Sequence, residues 1–175
     1  MSRASRLSAL ILANDSKFPD VTHVTASHVL ALQPPVTFVD CRSVAERSVS
    51  VIPGALDRDA FEASALPAGS TVVCYCTIGY RSSLFAGRLK AERADLDVVN
   101  LSGSILSWAA EGGALVDEDG RPTKRLHVFG DEWDVAPTEF EAVKFEAGGG
   151  LREMARVFLE VARDKMRMIR KLFLG

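Results

Sequence analysis

Three short runs limit what this chain can fold into: VTFVD (36–40), TVVCY (71–75) and DVVNL (97–101). Each is a brief β-branched and aromatic stretch, the pattern of a parallel strand buried on both faces. Helical patterns lie around and between them. VTASHVLAL carries Thr25 as a candidate N-cap and apolar positions at Val29, Leu30 and Leu32. SVAERSV and DAFEASAL suit two further short helices, with the turn IPGA (52–55) between them. SSLFAGRLKAERAD (82–95) is the clearest helix, with Leu84, Phe85 and Leu89 on its apolar face. SILSWAAEG is a helix stopped by Gly112 and Gly113. Strands alternating with helices predict an α/β fold, a parallel sheet with helices on both faces. In such sheets chemistry sits outside the carboxyl ends of the strands. Cys76 is the first residue past TVVCY.

The flanks read differently. Residues 1–20 are expected to be a loose arm, and residues 21–117 the α/β domain. Residues 118–175 then form a C-terminal extension that opens with the polar connector EDGRPTK (118–124). Within it LHVFGDEWDV suggests an edge strand, PTEFEAVKFE a helix starting at Pro137, and AGGG (147–150) a hinge. A Pro-Pro break, Pro34 and Pro35, precedes the first strand. The chain shows no internal repeat.

The formal net charge is −2, which gives the chain as a whole no nucleic-acid signature. The charge is uneven: the last 25 residues carry +4 and the remainder −6. No apolar run approaches the ~18 residues of a membrane span. The first 14 residues hold Arg3, Arg6, several serines and no acid, so a clipped organellar transit peptide is the alternative to a cytoplasmic start. Three cysteines, Cys41, Cys74 and Cys76, make an odd count without framework spacing. That favours a reducing compartment, the cytoplasm, and thiols kept for chemistry or packing.

The loop CTIGYRSS (76–83) carries the chemistry. The useful form of cysteine is the thiolate, scarce for an ordinary thiol near neutrality. A strand–loop–helix arrangement corrects this. The helix beginning near Ser82 points free N–H groups at the loop, and successive loop amides complete an anion-binding concavity. Gly79 takes a positive φ that lets the loop close. Arg81 adds a fixed charge and a bidentate fork, and Ser82 and Ser83 add hydroxyl donors. Thr77, Ile78, Gly79 and Tyr80 separate Cys76 from Arg81. Cysteine-based phosphatases use a loop one residue longer, so this is a tighter cradle.

At this point the chain resembles the rhodanese-like sulfurtransferases, over about residues 22–117. FVDCRSVAERSVSVIPGA resembles the family's first signature, with Asp40, Arg42, Glu46 and Ile52 to Ala55 in place. CYCTIGYRS resembles its active-site loop, and VVNLSGSILSWAAEGGALV its closing signature, with Leu101, Gly103, Trp108 and Gly112. Ser50 and Val51 stand where the family usually has Gly-His, and Cys41 where valine is usual. The resemblance implies a rhodanese-like sheet and sulfane-sulfur transfer from thiosulfate or a persulfide to a thiol or cyanide. Cys76 would hold the persulfide, with residues 77–81 and Ser82 binding it and no dissociable cofactor. A non-catalytic docking module is the alternative, and a cysteine-based phosphatase or arsenate reductase a more distant one.

The remaining residues have plainer roles. Cys74 is expected on the strand and Cys41 in the core. Asp40 and Arg42 are expected to support the loop through an ion pair or hydrogen bonds. Trp108 reads as core, and His23, His28 and His127 as surface or structural. No Cys or His pair has metal-ligand spacing. Residues 151–173 read as one amphipathic helix whose apolar stripe needs cover. Its own domain or a second copy of the chain would supply it, a homodimer being the favoured form. An acidic protein or an anionic membrane surface is the alternative partner for the basic face.

Overall fold

The computed structural model describes residues 1–32, 36–145 and 149–174. The Pro-Pro break and residues 147 and 148 of the expected hinge lie outside them. The main elements run α1 (Arg3–Asp15), β1 (His23–Val24), α2 (Ala26–Ala31), β2 (Thr37–Asp40), α3 (Val44–Arg47), β3 (Leu56–Asp57) and α4 (Arg58–Glu62). They continue with β4 (Thr71–Tyr75), α5 (Tyr80–Glu92), β5 (Asp97–Leu101), α6 (Ser104–Ala110), β6 (Arg125–His127), β7 (Glu141–Val143) and α7 (Gly149–Leu174). The main sheet is parallel, in the order β1-β5-β4-β2-β3. The three runs that opened the sequence reading are its three central strands.

Alternation along those strands builds two cores, one on each face of the sheet. Val72 and Cys74 of β4 and Val98 of β5 pack with Phe61, Phe85 and Leu89 of α4 and α5. Val73 and Tyr75 of β4, with Val99 and Leu101 of β5, pack with Val29, Ile105 and Trp108 of α2 and α6. The second core also takes in Leu126, Val128, Val135 and Phe140. The first half of the extension is therefore continuous with the packing of the sheet domain. Among the described residues no helix is long and apolar enough to cross a membrane.

Four expectations fail, each for a physical reason. Residues 1–20 are not a loose arm: Ser2 caps α1 by accepting the Ser5 N–H at 3.1 Å. Leu7, Leu10 and Ile11 then share its inward face. The helix expected from Pro137 is a turn followed by β7, paired in parallel with β6. Phe140 and Ala142 alternate into the core, so the apolar period there is two. LHVFGDEWDV does not add an edge to the main sheet. Only its first two residues lie in β6, which belongs to a separate two-stranded sheet, and a 3-10 turn follows at Asp131–Trp133. Gly149 and Gly150 of the expected hinge already belong to α7.

α7 lies against α5 and the loop before it. Val157 and Asp164 are buried, and Arg58 donates to Asp164 Oδ1 at 2.9 Å. Leu151, Phe158, Leu159 and Met166 remain more than half exposed.

Candidate active site

The carboxyl ends of β2, β4 and β5 converge, and one residue after β4 comes Cys76. Parallel pairing sets Asp40 beside Tyr75, and Cys74 beside Asn100. The segments that follow these three strands thus meet at one end of the sheet. The first supplies Glu46 on α3, the second the cysteine loop, and the third Ser104 at the start of α6.

Cys76 is buried, at 2% exposure, and its sulfur is surrounded by donors. The Gly79 N–H reaches Sγ at 3.2 Å, the Ser82 hydroxyl at 3.5 Å and the Ser104 hydroxyl at 4.0 Å. Ser104 also accepts the Cys76 N–H at 3.0 Å, which fixes the first residue of the loop. Burial works against a thiolate here. The Arg81 charge, the Ser82 hydroxyl and amide, and the Gly79 amide outweigh it and hold the thiol below its ordinary value. Cys41 and Cys74 are equally buried without such donors, and desolvation pushes both thiols up. All three cysteines are free thiols.

Helix α5 begins at Tyr80, two residues earlier than expected, so Tyr80 and Arg81 are its first turn. Gly79 adopts φ +122°, and a Cβ there would meet Asn14 Nδ2 of α1 at 2.7 Å. Glycine is thus required by conformation, and an added Cβ would also have to displace the Asn14 amide. The cradle departs from expectation in two respects. The Ser83 hydroxyl is buried with no hydrogen-bond partner among the described residues. The Arg81 fork is spent on protein: Nη1 donates to Glu46 Oε2 at 2.6 Å and Nη2 to Oε1 at 2.7 Å.

Glu46 is the residue the sequence reading did not assign to the site. Its carboxylate also accepts the Thr77 hydroxyl at 2.9 Å and the Ser43 N–H at 3.0 Å. The second bond is half of a capping box at the start of α3. Burial pushes the carboxyl up, but Arg81 more than offsets this, and the group ends at about 2. His127 lies 3.9 Å from it and is held neutral, its value lowered to about 4 chiefly by burial. Ser104 was also unassigned. It sits at φ +50°, and Phe129, whose ring lies 5.5 Å from the Arg81 guanidinium, sits at +61°. Among the described residues, the two non-glycine positions with positive φ thus border the loop, where strain costs about 1–3 kcal/mol each.

Asp40 and Arg42 form a buried ion pair, Nη2 to Oδ2 at 2.6 Å, and Arg42 also donates to the Ser50 carbonyl at 2.7 Å. They line a charged cleft of about 410 Å³ beside α7 that contains no cysteine. Cys76, Thr77, Ile78, Tyr80 and Arg81 line a separate cavity of about 230 Å³.

The family model for the rhodanese-like domain matches residues 25–111, the segment that holds Glu46, the loop and Ser104. The chain carries a rhodanese-like domain. Its fold is similar to a thiosulfate sulfurtransferase from Pseudomonas aeruginosa, at 19% identity and a TM-score of 0.51. That match covers 69% of this chain and 24% of the other, so the chain spans about a quarter of that enzyme. A rhodanese-like domain protein from Staphylococcus aureus aligns at 20% identity and a TM-score of 0.45, over 56% of this chain and 99% of its own. A protein of unknown function from Rhodopseudomonas palustris, described as a possible tyrosine phosphatase, aligns at 23% identity and 0.46, over 61% and 91%. No curated protein matches the sequence. The rhodanese-like domain accounts for β2 to β5 and the site, while α1 and α7 lie outside the matched residues.

Proposed function

We propose that this rhodanese-like protein transfers sulfane sulfur through a persulfide on Cys76. The observation that carries the reading is the contrast at Cys76: the thiol is buried, yet amide, hydroxyl and guanidinium groups hold it toward the thiolate. In the first half-reaction the thiolate attacks the outer sulfur of a donor. A sulfur–sulfur bond forms at Cys76, the bond to the donor remnant breaks, and its electron pair leaves with the remnant. The Gly79 amide and the Ser82 and Ser104 hydroxyls are placed to hold the charge of the bound sulfane. An acceptor thiolate then attacks the outer sulfur and restores Cys76.

Mass measurement of the intact protein tests this. Incubation with a persulfide or thiosulfate donor should add about 32 Da, one sulfur, as expected for a thiolate nucleophile. Cys76→Ser should abolish the gain, while Cys41→Ser and Cys74→Ser should keep most of it. A gain that survives in Cys76→Ser overturns the reading.

A further inference from the structure

The cavity over Cys76 is unlike its floor. Its lining is largely apolar: Ile78 and Tyr80 of the loop segment, Phe129 and Trp133, and Phe158 and Val161 of α7. The charged group in its lining is Arg81, and both ends of that guanidinium are bound by the fully buried Glu46. The pair is closed on itself, so no free cation among the lining residues faces an entering anion. Lys17 and Lys165 lie 5.9 and 5.5 Å from the centre of the Tyr80 ring and are not among the lining residues. A dianion entering here loses water and gains little in exchange. An apolar group loses nothing of the kind. The volume, about 230 Å³, equals roughly seven or eight waters and admits a small ligand with one ring or a short alkyl group.

We infer that α7 completes the substrate site and selects sulfur donors with an apolar substituent, R–S–SH, over thiosulfate. This rests on the sulfur-transfer reading above. The outer sulfur of such a donor faces the Gly79 amide and the Ser82 hydroxyl, while R fills the space between Phe129, Trp133 and α7. The Cys76 thiolate attacks that outer sulfur. The new bond is Cys76 Sγ–S, the broken bond is R–S to outer S, and R–S⁻ leaves with the electron pair. The donor's proton stays on the transferred sulfur until solvent takes it. Phe158 and Val161 are therefore specificity residues supplied from outside the matched domain.

The test is single-turnover loading of Cys76, followed by mass, with benzyl persulfide, cysteine persulfide and thiosulfate at equal concentration. The two persulfides share a reactive group and differ only in R. Benzyl persulfide should load faster than cysteine persulfide by about tenfold, the discrimination an apolar pocket offers a group of this size, and thiosulfate should be slowest. Phe158→Lys should lower the benzyl rate, raise the thiosulfate rate and shrink the ratio between them at least severalfold. Phe158 is 63% exposed, so this variant keeps the fold, and Val161→Lys provides a second reading of the same wall. Failure of every donor to load Cys76 would overturn sulfur transfer itself. Loading without preference, or best with thiosulfate, overturns the apolar-donor assignment alone. A benzyl preference untouched by both lysine variants removes α7 from the site.

Discussion

Cys74 and Cys76 stand two residues apart and are both buried, yet one thiol is pushed up and the other drawn down. The difference is made by groups of the loop that follows Cys76, above all Arg81, which Glu46 from another segment holds in place. Glu46 and His127 should therefore govern acid stability. Glu46 sits at about 2 in the folded chain against about 4.3 when unfolded. Folding prefers its charged form, so its contribution is full above about pH 4.3 and is lost as pH falls toward 2. His127 sits at about 4 against about 6.5 unfolded, and folding prefers its neutral form. Its contribution is full above about pH 6.5 and is lost as pH falls toward 4. Thermal melting should thus decline in two stages on acidification. His127→Gln should flatten the upper stage and Glu46→Gln the lower one. Glu46→Gln should also cost about 3–5 kcal/mol near neutrality, because it strands the buried Arg81 charge. A wild-type-like melting curve in Glu46→Gln would refute this account of the pair. Cys76 was legible because its neighbours in sequence, the strand before it and Gly79 after it, announce a cradle. Glu46 was legible as part of the first family signature, without a role at the site. Its partner, Arg81, lies 35 residues away, and local pattern carries no sign of it.

At the scale of elements, the loop depends on α1, which contributes Asn14 against Gly79. Gly79→Ala would need both φ +122° and the space Asn14 fills. It should lower stability by about 1–3 kcal/mol, the cost of such backbone strain. It should also move the Gly79 amide away from Sγ. The pH of half-maximal Cys76 alkylation should then rise toward the ordinary cysteine value of about 8.5. An unchanged alkylation profile would show that this amide does not hold the thiolate. The central strands were legible because burial on both faces leaves continuous apolar runs. α1 was missed because its stripe of Leu7, Leu10 and Ile11 is short and lies among serines and arginines. β7 was missed because Pro137 and the acidic residues after it imitate a helix start. Its pairing partners in β6 lie 16 residues upstream, and pairing at that distance leaves no local period.

At the scale of the whole molecule, α7 has more apolar surface than its own domain covers. Val157, Val161 and Asp164 face the domain and Phe158 borders the cavity, whereas Leu151, Leu159, Met166 and Ile169 form a second stripe facing solvent. At 100° per residue these four lie on one flank, beside rather than beneath the basic residues Arg152, Arg156, Arg163 and Arg167. The stripe runs about 27 Å along the helix at 1.5 Å per residue. Covering four such side chains contributes on the order of 6–12 kcal/mol before ordering costs. We propose that a second copy of this chain supplies the cover. An antiparallel pair of α7 helices would bury both stripes at once. The full chain should scatter light as a dimer. Leu159→Lys with Met166→Lys, both at exposed positions, should give a folded monomer that still loads sulfur on Cys76. Ending the chain before Gly149 should also give a monomer, but one that has lost the α7 wall of the cavity and with it the preference for apolar donors. A monomeric full-length chain at micromolar concentration would defeat the dimer and leave the stripe for an acidic protein or an anionic lipid surface.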